Sequence, residues 1–246
     1  MLKKIIIVTT LLGVCVTQGF ATTTELNYKA TFGIFGTVGT IKNRLTQNKS
    51  TYEIHTTVKM AGLAKMIMGG QTEHYTSKGH IQNGLMVSDF YEMISTKKEK
   101  KTSKMYLINH QHKSVIKRYR KWIKGKLVVD KKQKLAFYAK DDLLTLYFNL
   151  GNAISEKGKT YLFKAVGLEK QKGKVRITVP SIGQDKAYIK DLGTGAALYA
   201  KALIYQENFR KKKGDILLAV AKDGFIRKSV IKDVLLYGDA KLTRTK

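Results

Sequence analysis

Histidine side chains are the first candidates for chemistry in this sequence, because imidazole binds metal ions and transfers protons near neutral pH. His110 and His112 stand two residues apart, so on a strand both imidazoles would share one face and could supply two metal ligands. The other histidines are His55, His74 and His80. No cysteine and no nearby acidic residue completes a ligand set around His110 and His112. The sequence therefore predicts no metal site and no cofactor.

The motifs of common enzymes do not occur in the sequence. It contains no Gly-x-Ser-x-Gly elbow, no His-Glu-x-x-His, no Walker motif and no dinucleotide-binding glycine pattern. The adjacent carboxylates Asp141 and Asp142 precede an apolar segment, where acidic residues are typical of the start of a helix. We therefore expect no enzymatic activity, and a hydrolase of envelope glycans is disfavoured.

Every methionine after Met1 lies in one part of the chain, between residues 60 and 105. Methionine side chains fill ordinary cores, form adaptable linings for apolar ligands, or bind copper(I) through the thioether, and the sequence leaves these interpretations open. A lipid-facing lining would combine this region with a second apolar segment. The candidate lining residues are Leu63, Met66, Ile67, Met68, Leu143, Leu146 and Tyr147.

Basic residues dominate the charge, with 46 Lys and Arg against 18 Asp and Glu and a formal net charge of +28. Such a charge attracts polyanions. The segment 117–122 has charge on both faces of a strand, which a strand with a buried face cannot carry cheaply. Basic residues beside aromatic ones suit an anionic head group at a membrane interface, whereas edge protection against strand pairing is the alternative. The candidate residues for an anionic head group or polyanion are Lys117, Arg118, Arg120, Lys121 and Trp122.

Residues 1–21 have the pattern of a secretory signal peptide, with a basic start, a short apolar run and small residues at Gly19 and Ala21. The apolar run is too short to span a bilayer. We expect cleavage after Ala21 and a periplasmic protein whose residues 22–246 form a single β domain. Export would remove nucleic acid from the expected partners, and cleavage would remove Cys15, the only cysteine.

Alternation of apolar and polar residues predicts a mostly antiparallel β protein. A hairpin is predicted over 216–231, where Asp223-Gly224 suits a tight turn with two positive φ angles. Two segments with helical spacing, 60–68 and 141–150, predict short helices, the second ending at a Gly151 cap. The other predicted strands are 26–32, 52–58, 72–79, 85–94, 102–109, 113–123, 126–129, 160–166, 174–180 and 197–206.

Short motifs distributed along the chain support the same organisation. They are Tyr28–Gly33 followed by Gly36–Gly39, then Ala61–Leu63 with Ser77 and Gly84-Leu85, then Asp141–Tyr147, and finally the last hairpin with Gly238 and Leu242. Together they resemble the bacterial exported family called domain of unknown function 3108. The resemblance implies a periplasmic protein without established catalytic residues, whose curved sheet is similar to the half-barrel of Lol-type lipoprotein carriers.

The sequence thus predicts a strongly curved antiparallel sheet, or open half-barrel, with two short covering helices. Its concave face would hold or transfer an amphiphile (a lipid or lipoprotein acyl chain), and basic residues at the rim would bind the head group. The expected partners are anionic lipid, lipoprotein or lipopolysaccharide, with peripheral contact to envelope membranes and no nucleic acid, and the expected state is a monomer. The alternative is a basic surface-interaction protein that binds lipopolysaccharide or cell-wall polyanions without a lipid pocket.

Overall fold

The computed structural model describes residues 21–62, 65, 70–204, 214–232 and 238–246. The strands before the first long helix are β1 (Thr22–Phe32), β2 (Thr37–Gln47), β3 (Thr51–Met60), β4 (Thr72–Gln82), β5 (Leu85–Lys97), β6 (Lys100–Asn109), β7 (Ser114–Ile123), β8 (Lys126–Lys134) and β9 (Asp141–Asp142). The later strands are β10 (Thr160–Val166), β11 (Lys174–Thr178), β12 (Leu198–Ile204), β13 (Gly214–Val220), β14 (Ile226–Ile231) and β15 (Ala240–Arg244). The helices are α1 (Leu143–Ala153) and α2 (Lys186–Leu192).

All of these strands belong to one sheet, in the order β8-β7-β6-β5-β4-β3-β2-β1-β15-β14-β13-β12-β11-β10-β9. Neighbours are antiparallel except β9 and β10. The sheet curves until its two halves meet. One contact between them is the hydrogen bond from the Ser88 amide on β5 to the Lys140 carbonyl before β9, at 3.0 Å. Glu169, beyond β10, likewise accepts hydrogen bonds from Tyr106 and Lys117 on β6 and β7. This architecture confirms the predicted strongly curved sheet.

Strands β2 and β15 were not among the predicted strands. In β2 the inward positions include Gly39 and Asn43, which break the apolar alternation that marks a half-buried strand. The structure shows why these residues fit. A Cβ atom on Gly39 would lie 2.8 Å from the Lys59 carbonyl oxygen, and buried Asn43 donates from Nδ2 to the Leu26 carbonyl at 3.0 Å.

The β13–β14 hairpin exists, but its turn differs from the predicted one. Only Gly224 has a positive φ, of 80°, whereas Asp223 does not. The Gly224 amide donates to the Ala221 carbonyl at 3.0 Å, and the Ala221 amide donates to the Phe225 carbonyl at 2.8 Å. The pairing shifts between Ala219 and Val220, so the chain needs a longer loop than a two-residue turn.

Helix α1 confirms the predicted helix and corrects its end. The helix continues through Gly151 to Ala153 rather than ending at a glycine cap. Glycine is needed inside the helix because a Cβ at this position would lie 2.1 Å from the Gly224 carbonyl oxygen. The predicted helix over 60–68 falls mostly outside the described residues, and Met60 is the last residue of β3. No helix within the described ranges is long and apolar enough to cross a membrane.

Helix α1 lies within the curve of the sheet and is buried on two sides. On one side Leu146 and Leu150 pack with residues of β10–β13. On the other side Phe148 packs with Tyr28, Leu45 and other residues of β1–β3 and β5. Since both sides bury apolar area, the helix is fixed between the two halves of the sheet. It therefore forms one wall of any space that remains inside.

Candidate functional site

An apolar cavity of about 280 Å³ lies between α1 and the inner face of the sheet. Its volume is close to the lower end of the roughly 300–1,000 Å³ range of small-molecule pockets. The lining residues are Tyr28, Ile41, Asn43, Thr56, Val58, Tyr75, Tyr91, Leu143, Leu144, Tyr147 and Leu242. They come from six strands and one helix, so the site is assembled only by the fold.

Strand register brings the sheet residues of the cavity together. Tyr28 on β1 pairs with Ile41 on β2, which pairs with Val58 on β3. One step along the same face, Thr56 on β3 lies opposite Tyr75 on β4. Since paired residues point to the same side of a sheet, these side chains form one continuous, mostly apolar wall.

The polar groups of this wall are satisfied locally. Thr56 Oγ1 donates to Asn43 Oδ1 at 2.6 Å, and the Tyr28 hydroxyl donates to the Ile226 carbonyl at 2.7 Å. The buried Tyr147 hydroxyl differs, because it makes no hydrogen bond of ordinary geometry to any described residue. Burial raises the pKa of Tyr147 well above its usual range, so this hydroxyl stays protonated. The cavity thus offers apolar contact and a single polar group on α1.

A buried polar network fixes the start of α1. Asp142 Oδ1 accepts the Leu144 and Thr145 amides at 2.7 and 3.0 Å, as an N-cap does. Asp142 Oδ2 accepts hydrogen bonds from Ser77 Oγ at 2.6 Å and Thr145 Oγ1 at 2.8 Å. The Tyr52 hydroxyl completes the network at 2.7 Å from Thr145 Oγ1. Burial raises the pKa of Asp142, while these donors hold the carboxyl group in place.

The middle of α1 is also tied to the sheet through an amide side chain. Asn149 Nδ2 donates to the Met86 carbonyl at 2.7 Å, and the Met86 amide donates to Asn149 Oδ1 at 3.0 Å. This pair continues the hydrogen bonding of β5 onto the helix. The cavity wall is therefore rigid at two points along α1.

We expect the variant Asp141→Asn to be more stable than the wild type at pH 7.5. Burial, and then the neighbouring Asp142, raise the pKa of Asp141 to about 6, and its Oδ1 is buried without a partner. Because the folded-state pKa exceeds the unfolded one, the folded protein binds more protons between about pH 4 and pH 6, and stability falls as pH rises through that window. Removing the charge should gain about 3 kcal/mol at pH 7.5 and well under about 1 kcal/mol at pH 4. Urea unfolding of both proteins at the two pH values checks this, and a difference that does not change with pH contradicts it.

The predicted lining residues separate into three groups. Leu143 and Tyr147 line the cavity. Leu146 packs instead with β10–β13, because it lies on another side of the helix. The remaining four predicted residues, Leu63, Met66, Ile67 and Met68, lie outside the described residues.

Sequence reasoning did not find the strand residues of the cavity. Period-two alternation indicates which residues of a strand share a face, and Tyr28 and Val58 follow that pattern. Register between strands decides which of them meet α1, and no local signal in the sequence gives it. Met86, considered as lining, is 6% exposed and packs in the core with Phe148.

The predicted basic residues lie on both faces of β7. Lys117 faces the interior, where its Nζ is 2.8 Å from Glu169 Oε1 and 5.6 Å from the centre of the Tyr106 ring. Lys121 shares that face by alternation and pairs with Thr102 and Val129. Lys117 is therefore neutralised by a partner, whereas Lys121 lies near the margin of the inner face.

Arg118, Arg120 and Trp122 occupy the outer face of β7. The Arg118 guanidinium forms a two-pronged ion pair with Asp130. Arg120 lies 5.3 Å from the centre of the Trp122 ring, as Lys101 Nζ does at 5.4 Å. Because they are on the opposite face from the cavity, these residues cannot hold the head group of a ligand inside it.

The β7–β8 tip, defined as residues 122–128, combines exposed apolar and basic side chains at the edge of the sheet. Ile123, Leu127 and Val128 are 41%, 51% and 50% exposed. Lys126 stands among them, and β8 continues with Lys131, Lys132 and Lys134. Exposed apolar residues next to lysines are typical of a surface that contacts anionic membranes.

The curved sheet with a helix inside it defines a β-barrel-like fold of the open type. A crystal structure of the beta-barrel-like protein of the domain of unknown function DUF1849 from Brucella abortus is similar, with a TM-score of 0.50 and 8% identity over 90% of this chain and 95% of that chain. At this identity the likeness concerns the fold alone. No family model and no curated protein matches the chain, so the resemblance to domain of unknown function 3108 is not confirmed.

Proposed function

We propose that the protein binds an amphiphile without catalysing a reaction, with the apolar chain of the ligand inside the cavity between α1 and the sheet. The observation that carries this proposal is an apolar cavity lined by residues of six strands and a rigidly held helix. Burial of each methylene group there contributes about 0.8 kcal/mol. We expect the Tyr147 hydroxyl, buried on α1 beside the cavity, to donate to an ester or carboxyl oxygen of the ligand.

The head group would lie toward the margin of the inner face, where basic residues face the same side as the cavity. Lys104 on β6 pairs with Met93 on β5, which pairs with the cavity residue Tyr75 on β4. At about 4.8 Å per strand, Lys104 stands roughly 10 Å from Tyr75 across the sheet. Lys104 is exposed, so its ammonium group can bind an anionic head group in solvent.

Native mass spectrometry of protein purified without detergent, followed by lipid extraction, tests this function. The proposal predicts a lipid that co-purifies in a one-to-one ratio and is released by organic solvent. Protein that is free of lipid and does not take up fatty acid or lysophospholipid when these are added would contradict the proposal. The identity of a released lipid would give the ligand class.

We further propose that the β7–β8 tip contacts an anionic membrane surface, from which the ligand is taken or to which it is delivered. The variant Leu127→Asp should reduce sedimentation with vesicles of anionic lipid about tenfold, because it places a charge where an apolar side chain enters the interface. Leu162→Asp is the control, since Leu162 is 77% exposed and lies on β10, outside the β7–β8 tip. Cavity binding should be unchanged in both variants.

The formal net charge of +28 favours a second candidate function, namely binding of lipopolysaccharide or cell-wall polyanions by the basic surface. This function predicts sedimentation that falls steeply with salt and with neutralisation of Lys131 and Lys132. It also predicts no effect of the neutral variant Leu127→Gln, whereas contact of the apolar tip with a membrane predicts weaker sedimentation of that variant. The same vesicle assay, repeated at low and high salt, therefore separates the two functions.

A further inference from the structure

Three side chains that could bind a metal ion converge outside the cavity. His80 is on β4, Asp89 on β5 and His110 directly after β6. His80 Nδ1 lies 3.0 Å from Asp89 Oδ2, and His110 Nε2 lies 3.1 Å from Asp89 Oδ1. One potential ligand atom from each residue falls within 4.8 Å of the other two. We propose that this cluster, the His80 site, binds a divalent transition-metal ion, with Zn²⁺ as the reference ion.

A β-bulge places the carboxylate of this site. Lys78 pairs with Phe90 and Gly79 pairs with Ser88, so Asp89 is an extra residue on β5. A bulge turns a side chain away from its regular direction and often does so beside functional sites. The bulge needs glycine opposite, because a Cβ on Gly79 would lie 1.9 Å from the Val87 carbonyl oxygen. Local sequence and backbone geometry thus agree in directing Asp89 toward the two histidines.

The distances suit a tetrahedral ion. With metal–ligand bonds of about 2.0–2.1 Å, neighbouring tetrahedral ligand atoms are about 3.3 Å apart. His80 Nδ1 lies 3.0 Å from Asp89 Oδ2 and His110 Nε2 lies 3.1 Å from Asp89 Oδ1, so each imidazole faces a different oxygen of the carboxylate at close to this spacing. Binding replaces protons at His80 Nδ1 and His110 Nε2, and leaves a fourth position for water or another ligand. Two imidazoles and one carboxylate form a donor set that zinc accepts.

A second layer of contacts orients His110. The Tyr138 hydroxyl lies 2.7 Å from His110 Nδ1, the nitrogen that faces away from Asp89. A hydrogen bond at this position fixes the ring and the tautomer of a metal-binding histidine. The Ser88 carbonyl oxygen lies 2.9 Å from His110 Nε2. This carbonyl accepts the Nε2 proton in the metal-free protein and is a further oxygen close to a bound ion.

The exposure of the His80 site and the net charge of the protein determine how an ion can reach the site and what must hold it there. The side chains of His80, Asp89 and His110 are 40%, 48% and 27% exposed, so an ion can enter from solvent. The overall positive charge repels cations, and affinity must therefore come from ligand bonds rather than from the field of the protein. His110 and His112 lie in the turn between β6 and β7 rather than on one strand face, and His112 does not belong to the His80 site.

Competition between the untagged protein and a chromophoric zinc chelator tests the proposal. The expected result is one Zn²⁺ per chain, with at least tenfold weaker binding in His110→Gln and in Asp89→Asn. Tyr138→Phe should weaken binding by about tenfold through loss of orientation. His74→Gln is the matched control, because His74 is another sheet histidine and contacts Thr57 Oγ1. It should bind zinc like the wild type.

Two further measurements test whether zinc binds at the His80 site rather than at other side chains. Zinc should raise the melting temperature of the wild type and of His74→Gln but not that of His110→Gln. The absorption spectrum of the Co²⁺ form should show tetrahedral nitrogen and oxygen coordination without a thiolate band, which excludes Cys15 as a ligand. Circular dichroism confirms that each variant is folded, and His80→Gln replaces any variant that is not. Absence of saturable binding, or equal binding by the wild type, His110→Gln and Asp89→Asn, would overturn the proposal.

Discussion

Replacing Asp142 by alanine should lower the free energy of unfolding by about 3–5 kcal/mol. Loss of an N-cap costs about 1–2 kcal/mol. The change also removes the hydrogen bonds from the Ser77 and Thr145 hydroxyls to the carboxylate, and a hydrogen bond to a charged group contributes about 1.5–3 kcal/mol. The Tyr52 hydroxyl, bonded to Thr145, loses part of its support as well. Urea unfolding followed by circular dichroism measures the change.

Asp185 provides the matched control, because it precedes α2 as Asp142 precedes α1 but makes no capping hydrogen bond with its side chain. Its carboxylate pairs with Lys157 at 2.8 Å near the surface, where an ion pair contributes at most about 1 kcal/mol. Asp185→Ala should therefore lose less than about 1 kcal/mol. Equal losses in the two variants would show that the buried network does not anchor α1.

The variant Leu143→Asp should weaken binding of a fatty acid or lysophospholipid about 50-fold or more. Leu143 is half-buried and lines the cavity from α1. A carboxylate there keeps its water, so contact with about three methylene groups of the ligand is lost, or about 2.4 kcal/mol. Displacement of a fluorescent fatty acid measures the affinity. Leu162→Asp, which makes the same chemical change at a side chain 77% exposed, should bind normally.

A cavity-filling variant separates loss of space from introduction of charge. Val58→Phe keeps the wall apolar but occupies volume opposite α1, so it should favour short chains over long ones. Both variants must unfold at wild-type urea concentrations for the comparison to hold. Normal binding of a long chain by Val58→Phe and Leu143→Asp together would place the ligand elsewhere.

Most strands and helix α1 could be predicted from the sequence, because each depends on a pattern of neighbouring residues. Sequence patterns marked β1, β3–β8 and β10–β14, although only the first four residues of β8 were predicted, and two carboxylates before an apolar run marked α1. Strand β2 was not predicted because its inward positions include Gly39 and Asn43. The roles of these two residues depend on Lys59 and Leu26 in neighbouring strands. Local patterns therefore predict a curved sheet with an inner helix but not every strand of it.

The cavity and the His80 site depend on the register in which distant strands pair, and local sequence patterns do not give this register. The cavity joins Tyr28 to Leu144 and Leu242, which lie 116 and 214 positions further along the chain. The same limitation applies to His110. In the sequence it stands only two residues from His112 and no metal site is predicted, whereas the structure places His80 and Asp89 beside it. Face alternation placed Lys117 and Arg118 on opposite sides of β7, but only pairing with Glu169 and Asp130 shows that both are neutralised.

Photo-crosslinking with a fatty acid that carries a diazirine near the end of its chain tests binding in the cavity most directly. After illumination, the labelled peptides are identified by mass spectrometry in the wild type and in Leu143→Asp. The proposed function predicts labels on segments that contain Val58, Leu143–Tyr147 and Leu242, and loss of these labels in the variant. Labels spread over the lysine-rich strand β8, equally strong in Leu143→Asp, would contradict it and place the ligand on the surface.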